Sequence, residues 1–374
     1  MKYFIIAGEA SGDLHAANLM KAIKQQDNHA KFQYLGGNLM QKVTKRPPLI
    51  HYNQMAFMGV VDVVKNIRKI YRNLQQTKKG IVSYQPDVVI LVDYPGFNLK
   101  IAGFAKKKGY KTVYYIAPKL WAWKEGRVKK IRKYIDKLLV ILPFEIAFYN
   151  KHQITAEYVG NPVVDAVQNH KGLSRNEFME KFGLDNRPLI ALLPGSRRQE
   201  LKMMLPTMLS VVKDFPEYQF VISGGPSFSK ADYQNFLEDY PDLPIIFGHT
   251  YDLLQHSHSA IVTSGTAALE TALFKVPQVV VYKTYQWQYE IGKHLVKIPY
   301  VSLPNLIMQR PIVTELLQND FNPAVLKAEL QQINQGEKRS HLLADYNALE
   351  NLLGKESVSE KAAKSILNFI KKNH

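Results

Sequence analysis

Two acidic side chains in the first half of the chain stand where buried strands are expected to end. Asp93 follows the apolar run "VVILV" and precedes a Pro-Gly turn, and Glu9 follows "YFIIAG". An acid at the carboxyl end of a parallel strand faces the ligand crevice of an α/β sheet. Asp93 is therefore a candidate general base for an attacking hydroxyl, with Glu9 lining the same pocket. The pattern fits equally well an Asp93 that caps a helix beginning near Asn98.

The turn around Glu9, "GEASGD", has the small residues of a phosphate-binding turn, but its two acids would repel a phosphate. Gly8 and Gly12 allow a close approach to the backbone. Ser11 is expected to cap the following helix, and Asp13 suits the positive end of its dipole. The turn therefore has the shape of a phosphate site without the charge that a phosphate needs.

Two turns in the second half have residues that suit phosphate at the start of a helix. In "LLPGSRRQE", Gly195 permits close approach, Ser196 is a predicted N-cap and Arg197 can form paired hydrogen bonds to a phosphate. In "TSGTAALE", a second helix start is predicted, and a carboxylate one turn later suits ribose hydroxyls. Ordinary capping explains either turn alone, whereas together they favour a nucleotide diphosphate. The residues of this second turn are Ser264, Gly265, Thr266 and Glu270.

Several classes of chemistry lack support in the sequence. The chain contains neither G-x-x-x-x-G-K-[ST] nor G-x-G-x-x-G, and it has no cysteine. His256 and His258 are interpreted as a polar helix end, not as a ligand pair. We expect no metal and no cofactor, so Arg197 and helix N-termini would neutralise a leaving diphosphate.

The positive charge is concentrated in the first half. Residues 1–165 carry 27 Lys and Arg against 11 Asp and Glu, whereas residues 166–374 carry 22 against 21. This asymmetry favours an anionic partner, with a merely solubilising surface as the alternative. Trp121 and Trp123 beside a basic helix suit nucleic acid, a sugar with an anionic group, or simple packing.

A basic amphipathic helix is predicted after residue 59. Such a helix suits an anionic membrane surface or an acyl chain, and the alternative is a core-facing helix with a charged outer face. Its apolar positions are Val60, Val64, Ile67, Tyr71 and Leu74, its basic ones Lys65, Arg68, Lys69 and Arg72, and the apolar cluster before it Met55, Phe57 and Met58.

Short apolar runs alternate with helical patterns along both halves, which predicts two doubly wound α/β domains facing a cleft. We expect an N-terminal domain over 1–165, a linker over 166–187, a C-terminal domain over 188–340 and helices over 341–374. The linker contains a helix start at Ser174 with Glu177 three residues later. No signal peptide or spanning segment is recognised, which predicts a cytoplasmic protein.

Eight segments in order resemble the lipid-A-disaccharide synthase family of membrane-associated glycosyltransferases. They are "AGEASGD", "MAFMGVVDV", "VDYPGFN", "PKLWAWKEGRVKKI", "LPFEIAFY", "LLPGSRRQE", "SGTAALE" and "YVSLPNLI". The resemblance implies a GT-B fold and inverting transfer of diacylglucosamine from UDP to the 6-hydroxyl of diacylglucosamine 1-phosphate. It implies that the product is the β-1,6-linked lipid A disaccharide and that the enzyme associates peripherally with the inner face of the cytoplasmic membrane.

The resemblance also implies roles for individual residues. Asp93 matches the family's base, and Arg197, Glu270 and Asn305 match its UDP site. Ser11, Asn98, Lys119, Trp121 and Trp123 are expected on the acceptor side. The chain departs from the family at Gly96, where a second acid is common, and at Ala117 and Lys119, where serines are common. The Lys119 charge would suit the acceptor phosphate.

Other interpretations stay open. Another GT-B enzyme, such as a UDP-N-acetylglucosamine epimerase or a transferase with a different lipid acceptor, would share these turns. A nucleic-acid-binding protein would use the basic half, but it leaves the two nucleotide turns unexplained. The terminal helices are free to pack on their own chain or on a neighbour, so a homodimer is one possibility.

Overall fold

The structure is a computed structural model that describes residues 1–55, 66–121, 125–295 and 298–372. The chain forms two compact units, one of Met1–Pro162 with Glu356–His374 and the other of Val163–Lys355. Some residues for which the sequence predicts a role lie outside the described ranges. They are Phe57, Met58, Val60, Val64, Lys65 and Trp123.

The first unit is built on a parallel sheet whose described strands stand in the order β3-β2-β1-β4-β5-β6-β7. The strands are β1 (Lys2–Ala7), β2 (Lys31–Gly36), β3 (Ile50–His51), β4 (Val88–Val92), β5 (Lys111–Tyr115), β6 (Lys137–Val140) and β7 (Ala156–Tyr158). The helices are α1 (Ala10–Gln26), α2 (Asn38–Thr44), α3 (Ile67–Tyr84), α4 (Pro95–Lys107), α5 (Val128–Tyr134) and α6 (Glu145–Lys151), with short 3-10 helices at Tyr52–Gln54 and Glu125–Arg127.

The central strands of this sheet place the two predicted acids side by side. All five residues of β4 and the last five of β1 are buried, as expected for strands covered by helices on both faces. β1 pairs with β2 on one side and with β4 on the other, and Ala7 lies opposite Val92. Glu9 and Asp93 therefore follow neighbouring strands at the topological switch point, where ligands of such sheets bind.

The second unit has a parallel sheet whose described strands stand in the order β10-β9-β8-β11-β12-β13. The strands are β8 (Leu189–Leu193), β9 (Gln219–Gly224), β10 (Ile245–Phe247), β11 (Ser257–Thr263), β12 (Gln278–Tyr282) and β13 (Thr314–Leu317). The helices are α7 (Pro162–Gln168), α8 (Arg175–Phe182), α9 (Arg198–Leu209), α10 (Thr250–His256), α11 (Thr266–Leu273), α12 (Gln286–Leu295), α13 (Leu303–Met308), α14 (Pro323–Asn334) and α15 (Glu337–Leu353), with 3-10 helices at Val212–Asp214, Lys230–Asp232 and Gln234–Phe236.

The switch point of the second sheet lies between β8 and β11. These two strands pair in parallel, and Leu193 lies opposite Val262 near their carboxyl ends. The two predicted phosphate turns follow these strands directly. Local sequence thus explains each turn, and the strand order explains why they are neighbours.

The segment predicted as a linker belongs to the second unit. Ser174 and Glu177 form the expected capping box at the start of α8. The same helix buries Phe178, and Asp252 of α10 accepts the backbone N–H of Leu173 at 2.8 Å. Residues 166–187 therefore pack as part of the unit because they supply both apolar and polar contacts to it.

The last helix, α16 (Val358–Lys372), follows α15 directly in sequence. It nevertheless packs on the first unit, against α1. It buries Ala362, Ile366 and Ile370 in the core that covers β1 and β4. The predicted grouping of 341–374 as one helical region therefore splits, because the apolar face of α16 matches the surface of α1. Among the described helices, none is long and apolar enough to cross a membrane.

Candidate functional site

The backbone at the end of β4 is held in an unusual conformation at Asp93. The φ angle is 43° at Asp93 and 50° at Tyr94, a region that residues other than glycine seldom occupy. The Tyr114 hydroxyl donates to the Asp93 carbonyl oxygen at 2.6 Å, and the Asn98 amide donates to it at 2.7 Å. Such strain costs about 1–3 kcal/mol and persists where surrounding contacts hold it, often at functional sites.

The surroundings of Asp93 raise the pKa of its carboxyl group towards neutral pH. Burial, followed by the negative charge of Glu9, raises the pKa of Asp93 from 3.8 to about 6. A hydrogen bond from the Tyr94 backbone and the positive charge of Lys119 act in the opposite direction. A carboxylate with this pKa is a stronger base than an exposed aspartate and is still ionised at pH 7.

Asn98 has a different role from the one expected. Its side chain is fully buried, so it is not accessible to an acceptor sugar. Its amide group donates to the carbonyl oxygens of Val92 at 3.2 Å and Asp93 at 2.7 Å. Helix α4 begins at Pro95 with Tyr94 as the N-cap, so Asp93 does not cap a helix near Asn98. Asn98 therefore positions Asp93, and the prediction of direct acceptor contact is corrected.

The turn after β1 also differs in detail from its prediction. Glu9 itself is the N-cap residue of α1, and the Ser11 hydroxyl donates to the Glu9 carboxylate at 3.2 Å instead of capping the helix. Asp13 is buried and accepts the backbone N–H groups of Gly37 at 2.7 Å and Leu39 at 3.0 Å. Asp13 therefore caps the start of α2, a long-range contact that helix-dipole reasoning about α1 could not identify.

The segment after β5 carries Lys119 and Trp121. Lys119 is exposed, and its charge lowers the pKa of Asp93. The Trp121 indole N–H donates at 3.1 Å to Glu145, a carboxyl group that is only 1% exposed. The sequence offered "LPFEIAFY" as a family segment, but no pattern indicated that Glu145 would contact a tryptophan. Trp123 lies outside the described residues.

The turn after β8 is occupied by a carboxylate of its own. Gly195 has a φ of 106°, and a Cβ there would lie 2.5 Å from Glu200 Oε2. Glu200 accepts the backbone N–H groups of Ser196 at 2.9 Å and Arg197 at 3.2 Å. Helix α9 begins at Arg198 with Arg197 as the N-cap, so the prediction that Ser196 caps it is wrong.

The guanidinium group of Arg197 is the accessible part of this turn. Its side chain is 73% exposed, although one nitrogen contacts Glu200 at 3.1 Å. An exposed guanidinium retains donors for a phosphate, whereas the backbone amides of Ser196 and Arg197 are already bonded. Arg197 therefore remains the candidate phosphate ligand. The absence of a side chain at Gly195 makes room for the Glu200 carboxylate.

In the turn after β11, one residue bonds within the protein and the next two are exposed. Ser264 donates its hydroxyl to Val301 O at 2.8 Å and its backbone N–H to Val281 O at 3.0 Å. Gly265 and Thr266 are exposed at the start of α11. The predicted role of Ser264 as a ligand donor is therefore corrected, while Gly265 and Thr266 remain available at the positive end of the helix.

Glu270 lies behind this helix start and pairs with a tyrosine that was not predicted. The Tyr251 hydroxyl donates to Glu270 Oε1 at 2.9 Å. Burial raises the pKa of Glu270, and this hydrogen bond opposes the effect. Tyr251 also lines an open cavity of about 620 Å³ at the carboxyl ends of β9 and β10, a size typical of small-molecule sites. The cavity is lined by His170, Gly224, Gly225, Pro226, Phe228, Phe247, Gly248, His249, Thr250, Tyr251 and Asp252.

Asn305 is committed to the fold. Its side chain is 1% exposed. Its oxygen accepts the backbone N–H groups of Ile312 at 2.7 Å and Val313 at 2.9 Å. Its nitrogen donates to Val313 O at 2.9 Å and Glu315 at 2.8 Å. All its hydrogen-bonding capacity is used within the second unit, so the expectation of a direct contact with UDP is corrected.

The two histidines interpreted as a helix end make backbone contacts. A ring nitrogen of His256 lies 2.8 Å from Leu173 O, and one of His258 lies 2.7 Å from Asn334 O. Within the part of the chain that the structure describes, no group of three or more His, Asp and Glu side chains is arranged to hold a metal ion.

Helix α3 presents both apolar and basic side chains at its first turns. Ile67 is 62% exposed and Tyr71 is 63% exposed, and Arg68 and Arg72 are exposed beside them. Lys69 is half-buried. The opposite face packs on the sheet through Leu74 and Ile81. Both interpretations of the sequence thus describe part of the helix, because one face packs on the core while Ile67 and Tyr71 are exposed at its start.

Met55 does not share this exposed surface. Its side chain is 1% exposed and belongs to the core that covers β4, and its carbonyl oxygen accepts the Tyr94 hydroxyl at 2.6 Å. The prediction that Met55 contacts membrane or acyl chain is therefore wrong. Its apolar side chain completes the core, which sequence pattern alone did not distinguish from an apolar surface.

Comparisons with known proteins agree with the fold and the order of the motifs. The family described as lipid-A-disaccharide synthetase matches residues 3–369. A lipid-A-disaccharide synthase of Coxiella burnetii is 34% identical over 372 residues, covering 98% of both chains, and one of Syntrophus aciditrophicus is 36% identical over 378 residues, covering 99% of this chain and 98% of its own.

Among solved structures, the UDP-GlcNAc 2-epimerase of Neisseria meningitidis bound to UDP-GlcNAc superposes with a TM-score of 0.64 at 14% identity, covering both chains completely. This likeness shows the fold, so the predicted pair of Rossmann-like domains of the GT-B type is confirmed. The family match and the full-length relatives confirm the resemblance as well. The chain therefore belongs to the lipid-A-disaccharide synthetase family and is a hexosyltransferase in the formation of the lipid A disaccharide.

Proposed function

We propose that this enzyme transfers 2,3-diacylglucosamine from its UDP carrier to the 6-hydroxyl of 2,3-diacylglucosamine 1-phosphate. The 6-oxygen attacks the anomeric carbon of the donor, and the bond from that carbon to the UDP oxygen breaks. Asp93 takes the hydroxyl proton, and UDP leaves with the bonding electrons. A single displacement of this kind inverts the anomeric configuration, gives a β-1,6 linkage, and needs one base and no covalent nucleophile.

The observation that carries this proposal is the state of Asp93. It combines a strained backbone fixed by Tyr114 and Asn98 with a pKa raised to about 6 by burial and by Glu9. A purely structural aspartate gains nothing from a negative neighbour, whereas a base gains proton affinity. Glu9 serves as that neighbour and as a candidate ligand for acceptor hydroxyls.

On the donor side, the proposal assigns the diphosphate to Arg197 and to the start of α11 at Gly265 and Thr266. An exposed guanidinium and a helix N-terminus both stabilise negative charge, which develops on UDP as it leaves. Glu270 and the adjacent cavity are assigned to the ribose and the base. Support comes from the order of β8 and β11, whose ends are neighbours in the sheet.

The substrates also suggest where the enzyme works. Both are anionic amphiphiles, and the first half of the chain is strongly basic. Ile67 and Tyr71, exposed beside Arg68 and Arg72, have the composition of a surface that inserts among lipids while arginines contact anionic headgroups. We infer peripheral association with the inner face of the cytoplasmic membrane through this part of α3.

The test is transfer between the two acylated glucosamine substrates by the wild-type enzyme and by Asp93→Asn. The wild type should form UDP and the disaccharide in equal amounts, detected by mass spectrometry. Asp93→Asn should lose about 10²–10⁴-fold in kcat, because an amide takes up no proton, while UDP binding by calorimetry is retained. Near-normal turnover by the variant would exclude Asp93 as the base.

A further inference from the structure

The segment that follows β5 begins with a strained residue. Ile116 has a φ of 61°, and a β-branched side chain makes this left-handed conformation a rare one. Because local preference disfavours this backbone, contacts from elsewhere must hold it in place. The residues just after it include Lys119 and Trp121, which the acceptor side of the proposed site uses.

Helix α6 and the residue before it contact this segment at several points. Glu145 Oε1 accepts the Trp121 indole N–H at 3.1 Å, and the Trp121 ring meets Phe144 edge-on at 4.9 Å between centroids. The buried hydroxyl of Tyr149 donates to Pro118 O at 3.2 Å. The Phe144 ring, the Tyr149 hydroxyl and the Glu145 carboxylate thus contact both ends of the short stretch between Pro118 and Trp121.

Glu145 is the polar centre of these contacts. It is 1% exposed, and its second oxygen accepts the backbone N–H groups of Ile141 at 3.2 Å and Leu142 at 3.0 Å. All three partners are donors, an arrangement that suits the ionised carboxylate and that a neutral amide cannot reproduce. A buried carboxylate is costly unless such donors satisfy it, so the arrangement has a function beyond filling space.

Lys119 connects this cluster with the base. Its positive charge lowers the pKa of both Glu145 and Asp93, so it lies close enough to act on the two carboxyl groups. It sits between Pro118 and Trp121, the two residues that α6 holds. A change in the position of this segment therefore changes the electrostatics at Asp93.

We propose that Glu145 is a positioning residue for the transfer reaction: its carboxylate holds the strained segment from Ile116 to Trp121 so that Lys119 and Trp121 keep their places on the acceptor side of Asp93. This inference rests on the proposed function for its kinetic consequence. The contact between Glu145 and Trp121 itself is independent of what the enzyme transfers.

The kinetic test compares Glu145→Gln with Trp121→Phe and the double variant. Glu145→Gln should lower kcat/KM for the acceptor at least about tenfold, the loss expected when a buried charged acceptor is removed, with the donor KM within about twofold of wild type. The double variant should be no worse than the more impaired single variant, because both changes break one contact. Unchanged acceptor kcat/KM, additive losses, or an equal rise in donor KM would each overturn the proposal.

A matched control separates positioning from general damage to the first unit. Asp136→Asn changes another carboxylate of the first unit, one that is more exposed than Glu145 and lies just before β6, at the opposite end of the sheet from Asp93. Asp136 accepts the Thr112 backbone N–H at 3.0 Å and the Thr112 hydroxyl at 3.0 Å, and it pairs with Lys106. The substitution should lower the midpoint of thermal unfolding and leave acceptor kcat/KM within about twofold. A loss of acceptor kcat/KM equal to that of Glu145→Gln would show that any weakening of the sheet suffices.

A fluorescence measurement tests the contact without any assumption about the reaction. Trp123→Phe and Trp287→Phe together leave Trp121 as the reporter. Burial raises the pKa of Glu145 to about 7, so Trp121 emission should change around that pH and lose this transition in Glu145→Gln. The other groups that interact with Glu145 are Lys119, Tyr149 and Tyr158, and burial moves both tyrosine pKa values further above neutrality.

The two arms fail in different ways. If the wild type does not join the two lipid substrates, the proposed function fails, and the emission transition still decides whether Glu145 holds Trp121. A transition that persists unchanged in Glu145→Gln would exclude the contact, whatever the enzyme transfers.

Discussion

The acid limb of the pH–activity profile should follow the charges that surround Asp93. Burial is the larger cause of its raised pKa and the charge of Glu9 the second, while the charge of Lys119 lowers it. Because a base acts only when ionised, kcat/KM should rise with pH through the pKa of Asp93. Glu9→Gln removes a charge that raises this pKa, so the limb should move to lower pH. Lys119→Met removes a charge that lowers it, so the limb should move to higher pH.

The size of the effect follows from the pKa of about 6. A group with that pKa is about nine-tenths ionised at pH 7 and about one-tenth ionised at pH 5, so the titration of Asp93 should lower wild-type kcat/KM about tenfold between them. Glu145, whose pKa is raised to about 7, titrates in the same range, so each profile is also recorded in the Glu145→Gln background, where the contribution of Asp93 stands alone. In Glu9→Gln the pKa of Asp93 should fall but stay above that of an ordinary aspartate, because the burial that raises it remains. The fall between pH 7 and pH 5 should then shrink by about twofold or more.

The assay is initial-rate kinetics from pH 5 to 8 at low acceptor concentration, with UDP release as the signal. The position of the limb is the readout, because Glu9 and Lys119 are also proposed acceptor-side residues whose loss would change the height of the profile. Shifts in the same direction for both variants, or a limb that both leave in place, would refute the electrostatic account of Asp93.

Three further outcomes are expected. Arg197→Ala should raise the donor KM about tenfold with little change in the thermal midpoint, because the side chain is 73% exposed; unchanged UDP affinity by calorimetry would remove Arg197 from the donor site. Asn305→Ala should lower the free energy of unfolding by about 2–4 kcal/mol in urea titrations, since it leaves buried donors and acceptors unpaired, and a stable variant with weakened UDP binding would instead restore its direct role. Ile67→Ser with Tyr71→Ser should weaken flotation with phosphatidylglycerol vesicles about tenfold or more, whereas Val82→Ser, an exposed position near the other end of α3, should not; equal effects would contradict a membrane role for the first turn.

The sequence was sufficient where a role depends on strand ends and turn chemistry. Asp93 and Glu9 were placed at two strand ends of one sheet because apolar runs identify parallel strands and the residues after them face the crevice. The structure then showed that the two strands are neighbours. The sequence identified Arg197 in the same way in the second half. Eight ordered segments identified the family, since a run of matched motifs at a consistent spacing specifies one fold and one kind of site.

The sequence did not reveal which polar side chains bond buried groups of the protein itself. Asn98 and Asn305 are of a type that often contacts ligands, but the Asn98 nitrogen donates to two backbone carbonyl oxygens, and the Asn305 side chain bonds backbone groups and Glu315. Asp13 caps α2, 24 positions or more away from it, instead of serving its own helix. In each case a buried polar side chain bonds a group of the protein that the local sequence pattern does not identify.

The sequence by itself determined which strands are buried, where the chemistry-bearing turns follow them, and which family the chain belongs to, because these depend on residue type and spacing. Only the tertiary structure decided which polar groups bond within the protein, that α16 packs over the first sheet, and that Glu145 accepts a hydrogen bond from Trp121. Those outcomes depend on which surfaces meet, and a buried donor or acceptor takes whichever partner the packing brings within reach.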